Sequence, residues 1–271
     1  MDRKRRHMMV ILVFLAATTR VVAQETLTNG LMIDDSGVLG AGAIEFSGMY
    51  SDRMCGGSYG LIGIPREGYA ERSQAVSLGM AYGITEGMDL LFETQWRAES
   101  RREESRAHAQ SFGDLRFGLK VHLHELSDAV TLSWIPSFFL PVDRGGQHEV
   151  FGAATAGTDQ LLVVSGIAGR FASTLQLGVH YGYASVDDAD LHLHLAGGFG
   201  WQMFDAVQPR LEFHLQGDPA SLGAPVEATA MLGILLTLSS HLRLDCGLQE
   251  CLTADAALRD RAFLARMVIT P

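Results

Sequence analysis

Apolar and polar residues alternate along twelve stretches of this chain, and the connections between them are by turns tight and long. Gly113-Asp114-Leu115-Arg116-Phe117-Gly118-Leu119-Lys120-Val121-His122-Leu123-His124 shows the pattern best: Leu115, Phe117, Leu119, Val121 and Leu123 fall on one face, Arg116, Lys120, His122 and His124 on the other. A period of two is that of a β-strand whose faces meet different surroundings. Strands are predicted at about 39–50, 73–84, 88–97, 112–124, 128–141, 159–170, 173–185, 190–203, 207–217, 225–238, 241–251 and 260–270. Thr85-Glu86-Gly87, Glu125-Leu126-Ser127, Phe171-Ala172, Asp205-Ala206 and Ser239-Ser240 are tight turns, whereas 51–72, 98–111, 142–158, 218–224 and 252–259 are long; only 186–189 is short for its place. An even strand number with tight periplasmic turns and long extracellular loops is the pattern of bacterial outer-membrane barrels. The prediction is an all-β, transmembrane antiparallel barrel of about 12 strands with both termini periplasmic.

A soluble sandwich also alternates, but its polar face meets bulk water and its apolar face a second sheet. Here Leu90, Phe92, Thr94 and Trp96 oppose Asp89, Glu93, Gln95 and Arg97, and Leu211, Phe213 and Leu215 oppose Arg210, Glu212, His214 and Gln216. Leu242, Leu244, Cys246 and Leu248 likewise oppose Arg243, Asp245, Gly247 and Gln249. Tyr50, Tyr82, Trp96, Tyr181, Tyr183, Trp201 and Phe204 fall near strand ends on the apolar face, where amphipathic rings settle at a membrane interface. Gly79, Gly83, Gly118, Gly178, Gly182, Gly198 and Gly200 lie on the opposite face, leaving room for large neighbours or a ligand.

Export fits this fold. Basic Met1–His7, the apolar stretch Met8–Ala17 and small residues at Val21-Val22-Ala23 read as a cleaved signal peptide over 1–23, leaving a barrel domain over 24–271. The apolar run is about half the roughly twenty residues that cross a bilayer as a helix. Cleavage removes five Lys or Arg and one Asp, so the exported chain is more acidic than the formal −10 of the full sequence. An acidic chain without a basic stripe is a poor partner for nucleic acid. Cys246 and Cys251 lie about 16 Å apart along one predicted strand. They should not bridge each other.

The enclosed face gathers Glu45, Glu93, Arg97, Arg116, Lys120, His122, His180, His192, His194, Arg210, Glu212, His214, Arg243 and Asp245. Opposite charges held away from water must pair, so these residues either form a network that fills the barrel or line a pore. His122-Leu123-His124 and His192-Leu193-His194 invite a metal site, but no Cys or carboxylate accompanies them at a known ligand spacing. Glu103, Glu104, Ser105, His108, Ser111, Asp143, His148 and Glu149 supply rim groups that a hydrolase would need, without fixing a catalytic geometry. Arg97–Arg106 reads instead as a solvated charged loop able to touch lipopolysaccharide phosphates.

Several segments resemble a known family. Gly79–Leu90, Gly113–Lys120, Phe139-Leu140-Pro141-Val142-Asp143, Gly157-Thr158-Asp159, Leu177–Tyr183 and Leu242–Leu248 followed by Leu252-Thr253-Ala254-Asp255 are similar, in order, to landmarks of outer-membrane proteins assigned to the meta-pathway of phenol degradation. The resemblance implies a twelve-stranded barrel, grouped with hydrophobic-compound channels, that acts as a transporter. The expectation is therefore a passive conduit in a Gram-negative outer membrane for a small compound, apolar and aromatic ones included, with loops 51–72 and 142–158 gating entry. A closed structural or surface-lipid-binding barrel is the alternative, and an outer-membrane hydrolase a second. Expected partners are outer-membrane lipid and lipopolysaccharide, the barrel-assembly machinery and the solute, without a cofactor.

Overall fold

The structure, a computed structural model, describes residues 37–55, 58–59, 65–67, 71–101, 107–127, 129–140, 142, 156–183, 190–217, 226–252 and 260–269. The signal segment and its cleavage site lie outside them. Among the described residues there are fourteen strands: β1 Ile44–Cys55, β2 Ser58–Tyr59, β3 Pro65–Glu67, β4 Glu71–Thr85, β5 Met88–Arg101, β6 Ala107–Ser127, β7 Val130–Leu140, β8 Gly157–Ala168, β9 Phe171–Gly182, β10 Asp190–Trp201, β11 Val207–Gly217, β12 Glu227–Ser239, β13 Leu242–Cys251 and β14 Asp260–Ile269. β2 and β3 form a small separate ribbon; the other twelve close into an antiparallel barrel in the order β1-β14-β13-β12-β11-β10-β9-β8-β7-β6-β5-β4. All twelve strands expected from alternation are there. β1 begins at Ile44 and β14 ends at Ile269, both at the tight-turn end.

Alternation decides which face each residue takes. Leu232 is 69% exposed, Leu248 67% and Leu211 53%, while Lys120 and Glu212 are fully buried. A continuous belt of exposed Leu, Phe and Val is stable only against hydrocarbon, and the enclosed face carries the charges. Tyr50, Tyr82, Tyr181, Tyr183, Trp201 and Phe204 stand exposed on the outer wall, with Trp96 half-buried. Trp134 Nε1 donates to Gln160 Oε1 at 3.1 Å, giving a partner to an amide on that outer face.

Three expectations are corrected. The first strand starts five residues later than expected, because Gly40 and Gly42 hold φ of +85° and +79° and turn residues 37–43 off the wall. Segment 98–111 is less a loop than a hairpin extension: β5 runs to Arg101 and β6 starts at Ala107, their ladder continuing to Arg101↔Ala107. Part of 51–72 is likewise the ribbon β2–β3.

Barrel closure is uneven. β1 and β4 share only two ladder partners, Ile44↔Tyr82 and Glu45↔Ala81, at the tight-turn end. Further along, side chains span the seam: Arg72 Nε donates to Asp52 Oδ1 at 2.8 Å, and Gln74 Nε2 donates to the Tyr50 hydroxyl at 2.7 Å. Every other neighbouring pair carries at least eight ladder partners, so this seam has the least backbone hydrogen bonding in the wall.

Candidate functional site

The lumen is lined unevenly. In the tight-turn half, Ala81, Leu91, Ile135, Leu161 and Val163 form a buried apolar cluster drawn from β4, β5, β7 and β8. Leu39 packs against that cluster, so residues 37–43 enter the barrel as a strap. The Leu39 N–H donates to both carboxylate oxygens of Asp89, at 3.1 and 3.0 Å, and Lys120 Nζ donates to the Gly37 carbonyl at 3.1 Å. Gly83 makes the strap possible: a Cβ there would lie 1.8 Å from the Gly40 carbonyl oxygen. Gly83 instead exchanges backbone bonds of 2.8 Å with Gly42 N and Ala43 O.

Towards the long loops the β6–β10 wall is polar. Arg116 donates through Nε and a terminal nitrogen to Ser137 Oγ, at 3.0 and 2.8 Å, and pairs with Asp159 at 2.5 Å. The other Asp159 oxygen lies 2.6 Å from His180 Nδ1. Phe139 stacks on the His180 ring at a centroid distance of 4.9 Å. His192 faces His180 across β9 and β10, with ring centroids 6.0 Å apart, and His194 meets His214 edge-on at 5.7 Å. On the opposite wall charges occupy the tight-turn half as well: Arg210 pairs with Glu212 at 2.6 Å and with Asp245, which lies 3.8 Å from Arg266. Arg243 reaches Glu45 at 3.3 Å. These charges thus meet opposite ones, as groups taken out of water require.

The residues singled out by sequence are largely brought together. Glu45, Glu93, Arg116, Lys120, His194, Glu212, His214 and Asp245 are buried; Arg97, His122, His180, His192, Arg210 and Arg243 are half-buried. Arg97 Nε donates to Gln95 Oε1 at 2.6 Å. The two histidine pairs do not meet: a register shift falls between His122 and His124, His124 is exposed, and β6 is separated from β10 by three strands. Among the described residues no group of three or more His, Cys, Asp or Glu is placed to hold a metal. Of the rim groups, Glu103, Glu104, Ser105, Asp143, His148 and Glu149 lie outside the described residues, and His108 and Ser111 are described in backbone alone. Cys246 and Cys251 are not joined to each other by a disulfide.

Sequence reasoning missed Asp159, Phe139, Asp89 and Leu39 as members of this site. Asp159 stands at the third residue of β8, where alternation has barely begun. Asp89 was visible as an inward carboxylate, but nothing local announces that its partner is a backbone amide 50 residues earlier.

A closed twelve-stranded barrel with an apolar belt and a charge-paired interior defines the class as a β-barrel of the outer-membrane type. Solved structures share this fold. An outer-membrane channel from Pseudomonas putida F1 is 12% identical, covers 89% of this chain and 99% of its own, and superposes with a TM-score of 0.65. The NanC porin is 8% identical over 84% of this chain and 100% of its own, with a TM-score of 0.57. The CymD monoaromatic hydrocarbon channel is 10% identical over 86% of this chain and 89% of its own, at 0.50. No protein-family model matches the sequence, and no curated protein matches it.

Proposed function

We propose that this protein is a passive outer-membrane channel for small compounds with an apolar or aromatic body and a polar group, its tight turns and termini in the periplasm. The observation that carries the reading is the mixed lumen: on the β6–β10 wall paired charges and imidazoles near the long loops lead to the apolar cluster around Leu91, Ile135 and Leu161, while paired charges line the opposite wall. A solute crossing it would exchange water first for hydrogen-bonding side chains and then for hydrocarbon. The likeness to the phenol-degradation outer-membrane proteins, and the aromatic cargo named for CymD, support an aromatic solute. The three solved structures compared are channels or porins, which supports a non-catalytic role.

The strap favours a second reading, a closed barrel whose interior is filled for stability alone. Planar-bilayer conductance together with uptake in a deletion strain decides between them. Measurable conductance and slowed uptake of apolar aromatic solutes support the channel. Silence in the bilayer with unchanged uptake refutes it. Alanine at Arg116 or Glu212 changes the ion selectivity of a channel, whereas in a filled barrel it only lowers stability.

A further inference from the structure

We infer that the outer wall carries a seat for one phospholipid at its tight-turn end, formed by β7, β8, β9 and β10, with Arg170 holding the phosphate. Val130, Gly166, Ser173 and Phe199 are ladder partners in a single row across these strands. The row reads bulky, absent, small, bulky. The result is a depression of about 510 Å³ whose floor is Gly166, Ala168 and Ser173, a volume within the roughly 300–1,000 Å³ of small-molecule sites. Val130 bounds one side; Phe171 and Phe199, stacked with centroids 5.4 Å apart, bound the other. The next row inward, Val164 and Leu175, bounds the slot on the side away from the turn and leaves it open towards the turn.

That opening selects the occupant. The turn between β8 and β9 is Gly169-Arg170, and Gly169 adopts φ of +61°, which only glycine takes readily and which tightens the turn beside the slot. Arg170 follows Ala168 and precedes Phe171, both of which line the depression, and its side chain is exposed. Among the described residues its guanidinium has no hydrogen-bond or ion-pair partner, and only its backbone carbonyl is engaged, by Gln202 N. Trp201, opposite Phe171 in the ladder, marks the interface level. An apolar slot lying in the belt and opening beside an unpaired guanidinium fits an acyl chain continued by a phosphate. The Ser173 hydroxyl, on the slot floor, can donate to an ester carbonyl. The choice of phospholipid over lipid A rests on the periplasmic placement of the tight turns proposed above, because the periplasmic leaflet is the phospholipid one.

Native mass spectrometry of the full barrel, extracted in neutral detergent and supplied with phosphatidylethanolamine or lipopolysaccharide in separate arms, tests this. The expected result is one retained phosphatidylethanolamine per wild-type barrel. Gly166→Leu, which fills the slot, and Arg170→Glu, which reverses its charge, should each lower occupancy at least about tenfold, and Leu232→Phe on another part of the belt should leave it unchanged. Should Gly166→Leu fail to fold, Ser173→Leu fills the same slot. Retention of lipopolysaccharide instead overturns both the seat and the orientation. Equal retention by all variants, no retained phospholipid, or a dimer that Gly166→Leu dissociates overturns the seat alone. None of these readouts depends on conductance, so the channel reading stands or falls separately.

Discussion

Asp89 is the residue on which closure of the lumen can be tested most directly. It is buried, and it holds the Leu39 amide through both oxygens. A hydrogen bond to a charged group contributes about 1.5–3 kcal/mol. Since 1.4 kcal/mol is a factor of ten in an equilibrium, Asp89→Ala should raise the ratio of released to docked strap by roughly 10- to 100-fold. Asp89→Asn keeps one neutral acceptor and should give a smaller rise, because neutral bonds contribute about 0.5–1.5 kcal/mol. Lys120 still holds the Gly37 carbonyl in both variants, so the strap is loosened rather than removed. Single-channel recording reads the shift as a longer open time or a larger conductance, in the order wild type, Asn, Ala, with deletion of 24–42 as the upper limit. Heat-modified mobility on gels verifies that each variant is a folded barrel. If both variants fold and record like wild type while the deletion opens the pore, Asp89 does not hold the strap and the argument fails.

Other perturbations follow from the same contacts. Asp159→Leu removes the carboxylate 2.5 Å from the buried Arg116 guanidinium and should cost about 3–5 kcal/mol in denaturant unfolding. The double variant Arg116→Met with Asp159→Leu should recover most of that loss, because a buried pair replaced by apolar side chains of similar volume is often near neutral. Gly178→Ala would set a Cβ 1.7 Å from His194 Nε2, so a loss of about 1–3 kcal/mol is expected from overpacking, and removing the ring with His194→Ala should relieve it. Along the seam, hydrogen exchange should be alternately fast and slow over residues 72–80 of β4. Amides facing β1 should exchange roughly five- to tenfold faster than those facing β5, the effect of a missing hydrogen bond of about 1 kcal/mol; uniform protection would show that the seam is laddered.

The barrel was legible in the sequence because alternation is a local property. Whether Glu212 faces inward and Leu211 outward is settled by the pleat alone, and the same rule assigned Lys120, His194 and Asp245 correctly to the enclosed face. Strand count followed from turn spacing for the same reason. What each inward group touches is set by barrel closure, which joins residues far apart in the chain. Asp159 bridges Arg116 and His180 only because β6 and β9 flank the pair β7–β8 with a particular stagger. Arg243 reaches Glu45 across 198 positions. No periodicity within either segment encodes those distances.

The strap shows the limit most sharply, and it also explains why its sequence misleads. Leu39-Gly40-Ala41-Gly42-Ala43 reads as the start of a strand, since glycine and small apolar residues are common in barrel walls. The glycines instead allow positive φ and let backbone lie against backbone at Gly83, and the leucine finds hydrocarbon within the lumen rather than outside it. Glycine at 83 therefore has a stricter reason to be there than glycine elsewhere on the inner face: at Gly178 a side chain fills the space, whereas at Gly83 the space is taken by another stretch of main chain that cannot rotate away. The same end of the barrel carries the two ladder pairs that close β1 onto β4. Strap and closure thus share one anchor, and a change that frees residues 37–43 should also weaken the seam, so Gly83→Ala should both raise conductance and speed exchange at Ile44 and Glu45. A variant that does one without the other would separate the two, and would locate the hold on the strap at Asp89 and Lys120 alone.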